Sequence, residues 1–453
     1  MTPTFLTLPL DFFDPLPLYL HLCPRGPGFL ESLNPTPRTG RFSILPLRVR
    51  DAFRLDARGL MQIADGQATP LPGDPFVRLE EVLAARRIPR DAATPHFPGG
   101  FFGYLGYDLA WWIEDLPRRA RRDLPLPALW LSWVDTVAVY DHAERCMTLA
   151  SLDADFDLDA LVPRIEAALA SPLPAPRPAV PPSLTPVLSR EAFMARVERA
   201  KEYIAAGDIY QANLSCRFDG LSDEPGTDLY ARLRRVNPSP FACYLRTPEV
   251  EIISSSPERL VSLRGRLAET RPIAGTRPRG YTPPEDAVLG RELLDHPKER
   301  AEHVMLLDLE RNDLGKVCTA GSVEVDEFMV LERYSHVTHI VSNVRGLVRE
   351  DCGPFALLRA MFPGGTITGV PKKRCMEIIE ELEPVGRGTY TGSAGYISAT
   401  GDMDWNILIR TFQRCGAHLS YQTGAGIVAD SDPAREWEEC LAKGAALRKA
   451  LEG

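Results

Sequence analysis

Several protein classes are excluded by what this sequence lacks. No apolar run approaches the ~20 residues needed to cross a bilayer, so no membrane span is expected. The opening MTPTFLTLPLDFFDPLP has no basic stretch, no long apolar stretch and no A-x-A site. A secretory signal is therefore not expected, and the sequence reads as cytoplasmic. The nine cysteines are an odd number, scattered from Cys23 to Cys440 without a C-x-x-C pair. That usage suits reduced thiols in a core, not a disulfide framework or a zinc site. Basic residues are outnumbered, 52 Lys and Arg against 61 Asp and Glu, which disfavours a nucleic-acid partner. The one basic cluster, Arg118, Arg119, Arg121 and Arg122, lies beside Glu114, Asp115 and Asp123 and reads as a solvated helix face. GGTITGVPKK lacks the Gly-Lys-Ser/Thr of a phosphate loop, GAGIVAD has two of the three glycines of a dinucleotide fingerprint, and neither G-x-S-x-G nor H-E-x-x-H occurs.

What is present points to a large globular enzyme. At 453 residues the chain can form two or three domains or one two-lobed unit. The stretch SPLPAPRPAVPPSLTP, residues 171–186, is too rich in proline for a helix or a central strand and reads as a linker. It separates an N-terminal subdomain, residues 1–170, from a second region, residues 187–453. Ser189 can cap a helix whose apolar residues Phe193, Val197, Ala200 and Ile204 recur at helical spacing, and Gly207 ends it. The runs IYQANLSCRF, FACYLR, EIISSSP, AGYISAT and WNILIRTF, separated by turn residues, read as antiparallel strands. In the first region FSILPLRV, ALWLSWVDTVAVYD and MTLASLD read as strands and FVRLEEVLAARRI as a helix. Helices interrupt the strands without strict alternation, so the expected class is α+β.

Two helices each carry a Glu-x-x-Glu step. In DHPKERAEHVMLLDLERNDLGK, Asp295 can cap, Pro297 lies in the first turn, and Glu299 and Glu302 share a face opposite an apolar run including Val304 and Leu307. In DPAREWEECLAKGAAL, Asp432 can cap, Pro433 takes the first position, and Glu436, Glu439 and Lys443 share a face. Simple solvation explains such like-charge steps, and so does a bound cation. If the two faces meet, an all-oxygen set suits a hard cation such as Mg²⁺. The small-residue turns PGGTITG, residues 363–369, and TGAGI, residues 423–427, allow backbone N–H groups to approach an anion, though ordinary tight turns look the same. Arg410, alone in the alternating strand ILIRTF, suggests either a carboxylate partner or an edge position.

Taken in order, GGFFGYLGYDLA, GDIYQANLSCRF, SSSPERL, ETRPIAGTRPRG, PKERAEHVMLLDLERNDLGKV, HVTHIVSNV, FPGGTITGVPKKRCMEIIEELEP, GDMDWNILIRT and GAGIVADSDPAREWEE resemble the chorismate-utilising enzyme family. The resemblance is dense from residue 187 to 447 and thinner before it. It implies an antiparallel β-sandwich core flanked by helices, built jointly by the N-terminal subdomain and the chorismate-binding region. It also implies Mg²⁺ on Glu302 and Glu439, with Glu299 and Glu436 as nearby or water-mediated carboxylates. By the same resemblance Glu258 protonates the departing hydroxyl and His339 sits by the reacting ring. Arg410, Tyr390, Gly424, Gly426 and Lys443 hold the carboxylates of chorismate, and Thr276 and Thr366 line its site. Gln211 stands where water-adding members carry a lysine base, which favours ammonia as nucleophile. No Gly-x-Cys-x-Gly glutaminase motif occurs, so the resemblance implies a heterodimer with a glutamine amidotransferase subunit as the ammonia source. FLES and NPSPF, with Glu31, Ser32, Pro238, Ser239 and Phe241, resemble the segments of a tryptophan site, although turn chemistry explains them equally well.

Two branches of the family compete. YQANLS, FPGGTITG and the chain length are most similar to the aminodeoxychorismate synthase component I branch, which leads to p-aminobenzoate and folate. There the P-I-x-G-T motif usually presents a lysine that attacks C2 of chorismate. Here the residue is Ala274, as in the anthranilate synthase component I branch. A non-catalytic regulatory paralogue is a third expectation, opposed by the presence of Glu258, Glu302, His339 and Glu439.

Overall fold

A computed structural model of the chain describes residues 3–35, 38–91, 94–171, 181–333 and 337–452. Most of the proline-rich linker, residues 172–180, lies outside them. Two long strands, Phe42–Asp56 and Leu129–Asp141, pair antiparallel from Phe42 opposite Asp141 to Leu55 opposite Leu129, with register shifts between Pro46 and Asp51. Such irregularities bend and twist a strand. The two halves of the ribbon consequently enter different sheets.

The half near Asp141 continues through Gly28–Glu31, Phe241–Arg246, Glu251–Ser256, Thr411–Cys415 and His418–Ile427 to Gln211–Leu221. The half near Leu129 continues through Gly100–Leu105, Ser393–Ser398, Met403–Asn406, Arg259–Arg264 and Leu267–Thr270 to Val337–Leu347. That last strand also pairs with Ile273–Pro278 and Glu324–Arg333. Every pairing named is antiparallel.

Period-two alternation sorts the side chains into layers. Ile44, Val139, Cys243, Leu245 and Ile252 of the first sheet meet Phe102, Tyr104, Ala394 and Tyr396 of the second in a shared core. The outer face of the first sheet, with Leu214, Tyr244, Ile253 and Phe412, is covered by helices Arg190–Ala205, Gly226–Val236, Lys372–Leu382 and Pro433–Lys443. On the second sheet, Phe101, Val261, Ile397 and Trp405 pack under helices Pro75–Ala85, Pro297–Gly315 and Pro354–Met361. The result is the expected α+β sandwich flanked by helices. No helix of the described residues is long and apolar enough to cross a membrane.

Five local expectations need correction. TGAGI, residues 423–427, is not a turn: it completes the strand His418–Ile427, with Gly424 opposite Ser215 and Gly426 opposite Asn213. The helix carrying Glu299 and Glu302 is capped by His296, because Pro297 at its first position holds the residue before it extended, and Asp295 instead ends the preceding helix, Pro283–Asp295. WNILIRTF is not one strand: Met403–Asn406 belongs to the second sheet, Thr411–Cys415 to the first, and Arg410 lies in the crossing with φ of 54°. Arg118 to Arg122 are not helical. Instead Arg119 pairs with Glu381 at 2.7 Å and Arg122 with Glu380 at 2.7 Å, docking this segment onto helix Lys372–Leu382. Val304 is exposed, so it does not share the buried stripe of Leu307.

Gly100 begins the strand that joins the N-terminal ribbon to Ser393–Ser398. A Cβ there would lie 2.3 Å from the Ile397 carbonyl oxygen, and its φ is +136°. Gly100→Ala is expected to cost about 2–4 kcal/mol, read as a lowered urea midpoint. An unchanged midpoint would contradict this packing.

Candidate active site

The chain crosses between the two sheets twice in close proximity, once in each direction. One crossing follows Ser256 and carries Glu258; the other follows Asn406 and carries Arg410. The crossings satisfy each other's backbones: Ile407 N–H donates to the Glu258 carbonyl at 3.0 Å, and Ser255 N–H to the Arg410 carbonyl at 3.2 Å. Neither residue is in a ladder, so its side chain is directed by the seam between sheets.

Glu258 is buried and accepts a 2.9 Å hydrogen bond from Thr366 Oγ1. Burial pushes its carboxyl up to about 7, against the lowering effects of Thr366, the Ile273 N–H, Lys443 and Arg410. It therefore still carries a proton near neutral pH. Arg410 is the complementary group. Burial lowers its pKa, opposed by Tyr390, Glu258 and Glu439, but a guanidinium stays charged. Among the described residues no hydrogen bond or ion pair engages that guanidinium, whereas the buried Arg259, Arg271 and Arg387 each hold a carboxylate.

Around this pair the predicted residues converge. Lys443 Nζ donates to the Gly424 carbonyl at 3.0 Å and pairs with Glu439 at 2.7 Å. A Cβ on Gly424 would lie 2.9 Å from the Tyr390 hydroxyl, and one on Gly426 would lie 2.5 Å from the Gln211 amide nitrogen. At Gly424 the Leu214 carbonyl oxygen, 2.6 Å from that Cβ, and the Tyr390 hydroxyl fill the space, and at Gly426 the end of the Gln211 side chain does. Burial raises the Tyr390 phenol, which stays protonated as a donor. His339 lies opposite Thr276 in the ladder, and its Nδ1 is 3.1 Å from the Gly275 carbonyl oxygen and 3.0 Å from Thr276 Oγ1. Burial lowers its pKa, so the ring is neutral at pH 7 with Nδ1–H facing that carbonyl. Gly275, with φ of +64°, forms the bulge between Ala274 and Thr276, and a Cβ on it would lie 2.9 Å from Glu299 Oε2.

The carboxylates of the two glutamate helices lie within electrostatic reach of one another. Burial raises the Glu302 carboxyl; Lys298 opposes the rise, while Glu299, Glu439 and Glu436 add to it by repulsion. Burial likewise raises Glu436, opposed by Ser431 and reinforced by Glu439. Lys298 approaches Glu302 at 3.9 Å and Arg277 approaches Glu299 at 3.3 Å. No three of the described His, Cys, Asp or Glu side chains converge tightly enough to enclose a metal ion. Two carboxylates from facing helices, with water and substrate oxygens completing the shell, nevertheless fit Mg²⁺, which keeps several non-protein ligands.

The tryptophan-site residues fall elsewhere, with the segments around Glu31 and Ser239 side by side. Glu31, Ser32 and Phe241 line a cavity with Arg38, Phe42 and Arg259; Pro238 and Ser239 do not. Glu31 pairs with Arg234 at 3.3 Å and accepts from the Tyr230 hydroxyl at 2.5 Å, and burial pushes it up to about 7. Ser32 Oγ donates to the Phe42 and Pro240 carbonyls, and the Ser239 carbonyl accepts from Leu33 N–H.

Sequence reasoning missed Glu310, a buried acid that accepts from Thr270 Oγ1 at 3.2 Å and is pushed up to about 8 by burial and by Asp313 and Glu258, against Lys372. Its signal was an acidic residue in register with Leu306, Leu307 and Leu314 on the buried stripe of its helix. Arg387, between Gly386 and Gly388, was also missed.

Comparison with known proteins fits this geometry. A family model described as chorismate binding enzyme matches residues 50–449. An anthranilate synthase component I-like protein of Synechocystis sp. is 50% identical over 362 residues, 79% of this chain and 73% of that protein. Aminodeoxychorismate synthase component 1 of Bacillus subtilis is 45% identical over 395 residues, 84% of this chain and 83% of that protein. The crystal structure of anthranilate synthase component I from Streptococcus pneumoniae superposes with a TM-score of 0.80 at 32% identity, covering 96% of this chain and 97% of the other. With a sandwich seam that pairs a protonated glutamate with an unpartnered guanidinium, and with relatives of this similarity, the chain belongs to the chorismate-binding enzyme family.

Proposed function

We propose that the chain is an aminodeoxychorismate synthase component I, which replaces the C4 hydroxyl of chorismate with an amino group. The observation that carries the reading is the Arg410 guanidinium, partly buried and without a carboxylate of its own, beside a glutamic acid that is protonated near neutral pH. A substrate that is both an anion and the owner of a hydroxyl to be expelled uses both groups. Arg410 takes a carboxylate of chorismate, with the Tyr390 hydroxyl and with Gly424 and Gly426 of the strand His418–Ile427 shaping its seat. Thr366 aims Glu258, which gives its proton to the departing hydroxyl oxygen. Thr276 and the neutral His339 stand as one unit at the ring. Bound between Glu302 and Glu439, with Glu299 and Glu436 behind them, Mg²⁺ would supply a Lewis acid for the ring carboxylate. Gln211 has no basic group to activate water, which favours ammonia as nucleophile, delivered by a separate glutamine amidotransferase subunit in a heterodimer.

Ala274 supports a second reading, anthranilate synthase component I, in which ammonia adds at C2 and pyruvate leaves. The YQANLS and FPGGTITG framework weighs toward C4, since several segments converge less easily than one position changes. On the C4 reading a first ammonia, or direct displacement, takes the place of the missing lysine.

Because Glu258 acts in its protonated form, activity is present below its pKa and is lost as pH rises through it. In kcat/KM for chorismate, the expected alkaline limb centres on about 7. Glu258→Gln should lower kcat by roughly 100-fold or more and abolish that limb; full activity in this variant would remove Glu258 from the chemistry. Incubation with chorismate, Mg²⁺ and ammonium salt should give 4-amino-4-deoxychorismate by mass, and p-aminobenzoate only when a separate lyase is added. Fluorescent anthranilate formed without the lyase would establish the second reading instead. For the cavity at Glu31, we propose tryptophan as ligand, for feedback or for structure. Added tryptophan should then raise the melting temperature in a concentration-dependent way, and no rise at millimolar tryptophan would dismiss it.

A further inference from the structure

We propose that Arg387, through its ion pair with Glu383, is a positioning residue that holds the Thr366 turn and the Tyr390 turn in place around the substrate. The inference rests on the reading of Glu258 as the acid. Arg387 has 1% of its side chain exposed, and each of its five N–H groups is used. Nε and Nη2 fork onto Glu383 Oε2 and Oε1 at 3.0 and 2.8 Å. The other Nη2 hydrogen goes to the Asn213 carbonyl at 2.6 Å. Nη1 donates to the Ile367 carbonyl at 2.9 Å and to Thr391 Oγ1 at 3.3 Å. The Tyr390 ring lies 5.6 Å from the guanidinium carbon, within cation–π range.

Apart from Glu383, each contact ends one residue or two from a group already placed in the site. Ile367 follows Thr366, the donor to Glu258. Asn213 follows Gln211 by two on the strand Gln211–Leu221, and Thr391 follows Tyr390. Glu383 extends the hold, accepting from Ser215 N–H at 2.9 Å and Ser215 Oγ at 2.6 Å. Stability alone does not call for this arrangement, because a buried ion pair is often matched by well-packed apolar residues. An apolar pair cannot fix the direction of two carbonyls and a threonine turn. Lysine cannot either, since its single nitrogen lacks the planar fork.

The test uses Arg387→Lys, which keeps the charge and removes the fork. Chorismate loss should show kcat reduced about 100-fold, the scale of a displaced catalytic group, with KM changed far less. The alkaline limb of kcat/KM should also move to higher pH, because the Thr366 hydrogen bond lowers the Glu258 pKa and loosening it lets burial prevail. The other groups facing Glu258, namely Lys443, Arg410, the Ile273 N–H and Glu310, are unaltered by the substitution. Thr366→Val should move the limb the same way, and the double variant should move it no further. If Arg387→Lys does not fold, Glu383→Gln, which still offers the guanidinium an acceptor, is read by the same limb. A folded variant that loses activity with an unmoved limb would overturn the inference and leave Arg387 a purely structural residue. If the wild-type protein itself consumes no chorismate, the catalytic reading fails and the inference falls with it.

Discussion

The seam between the two sheets is the constraint on which the site depends. The ribbon formed by Phe42–Asp56 and Leu129–Asp141 belongs to both sheets, so the chain must cross the gap between them wherever a strand of one is followed by a strand of the other. At the crossings after Ser256 and Asn406 the backbone leaves its ladders and must find partners. It finds them in the other crossing, through the Ile407 to Glu258 and Ser255 to Arg410 hydrogen bonds. An acid and a guanidinium from positions about 150 residues apart in sequence are thereby fixed side by side.

Charge placement separates framework from site. Arg217 with Asp123 at 2.5 Å, Arg259 with Asp404 at 2.8 Å and Arg387 with Glu383 at 2.8 Å are buried cations whose desolvation is offset locally. Arg410 has no such offset, and the carboxyls of Glu302 and Glu436 are raised by burial and by other carboxylates. An unpartnered cation beside a cluster of anions is costly in an empty protein. On the proposed function, a dianionic substrate and a divalent cation would together complete both halves.

Much of the fold was legible because its signals are local. Ser189 and Asp432 cap the helices that were expected of them, and the alternation in IYQANLSCRF, FACYLR and AGYISAT marks real strands. The failures are also physical. WNILIRTF alternates as a strand would, yet it is broken at Arg410 because its two halves belong to different sheets, a fact no local pattern contains. The cap at His296 follows from Pro297, whose steric effect on its neighbour outweighs the capping preference of Asp295.

By itself the sequence determined the class, α+β, and the family, since both rest on ordered motifs and periodicity along the chain. It also determined which side chains could do chemistry. Only the tertiary structure decided which of them lie together, because sheet register brings Glu258, Thr366 and Arg410 to one seam and places Glu302 and Glu439 within electrostatic reach of each other. It alone showed Glu310 and Arg387 buried behind the site, where sequence reading takes a charged residue for a solvated one. Burial, which sets the protonation of Glu258 and the need of Arg410 for a partner, is a property of the assembled layers and of no segment taken alone.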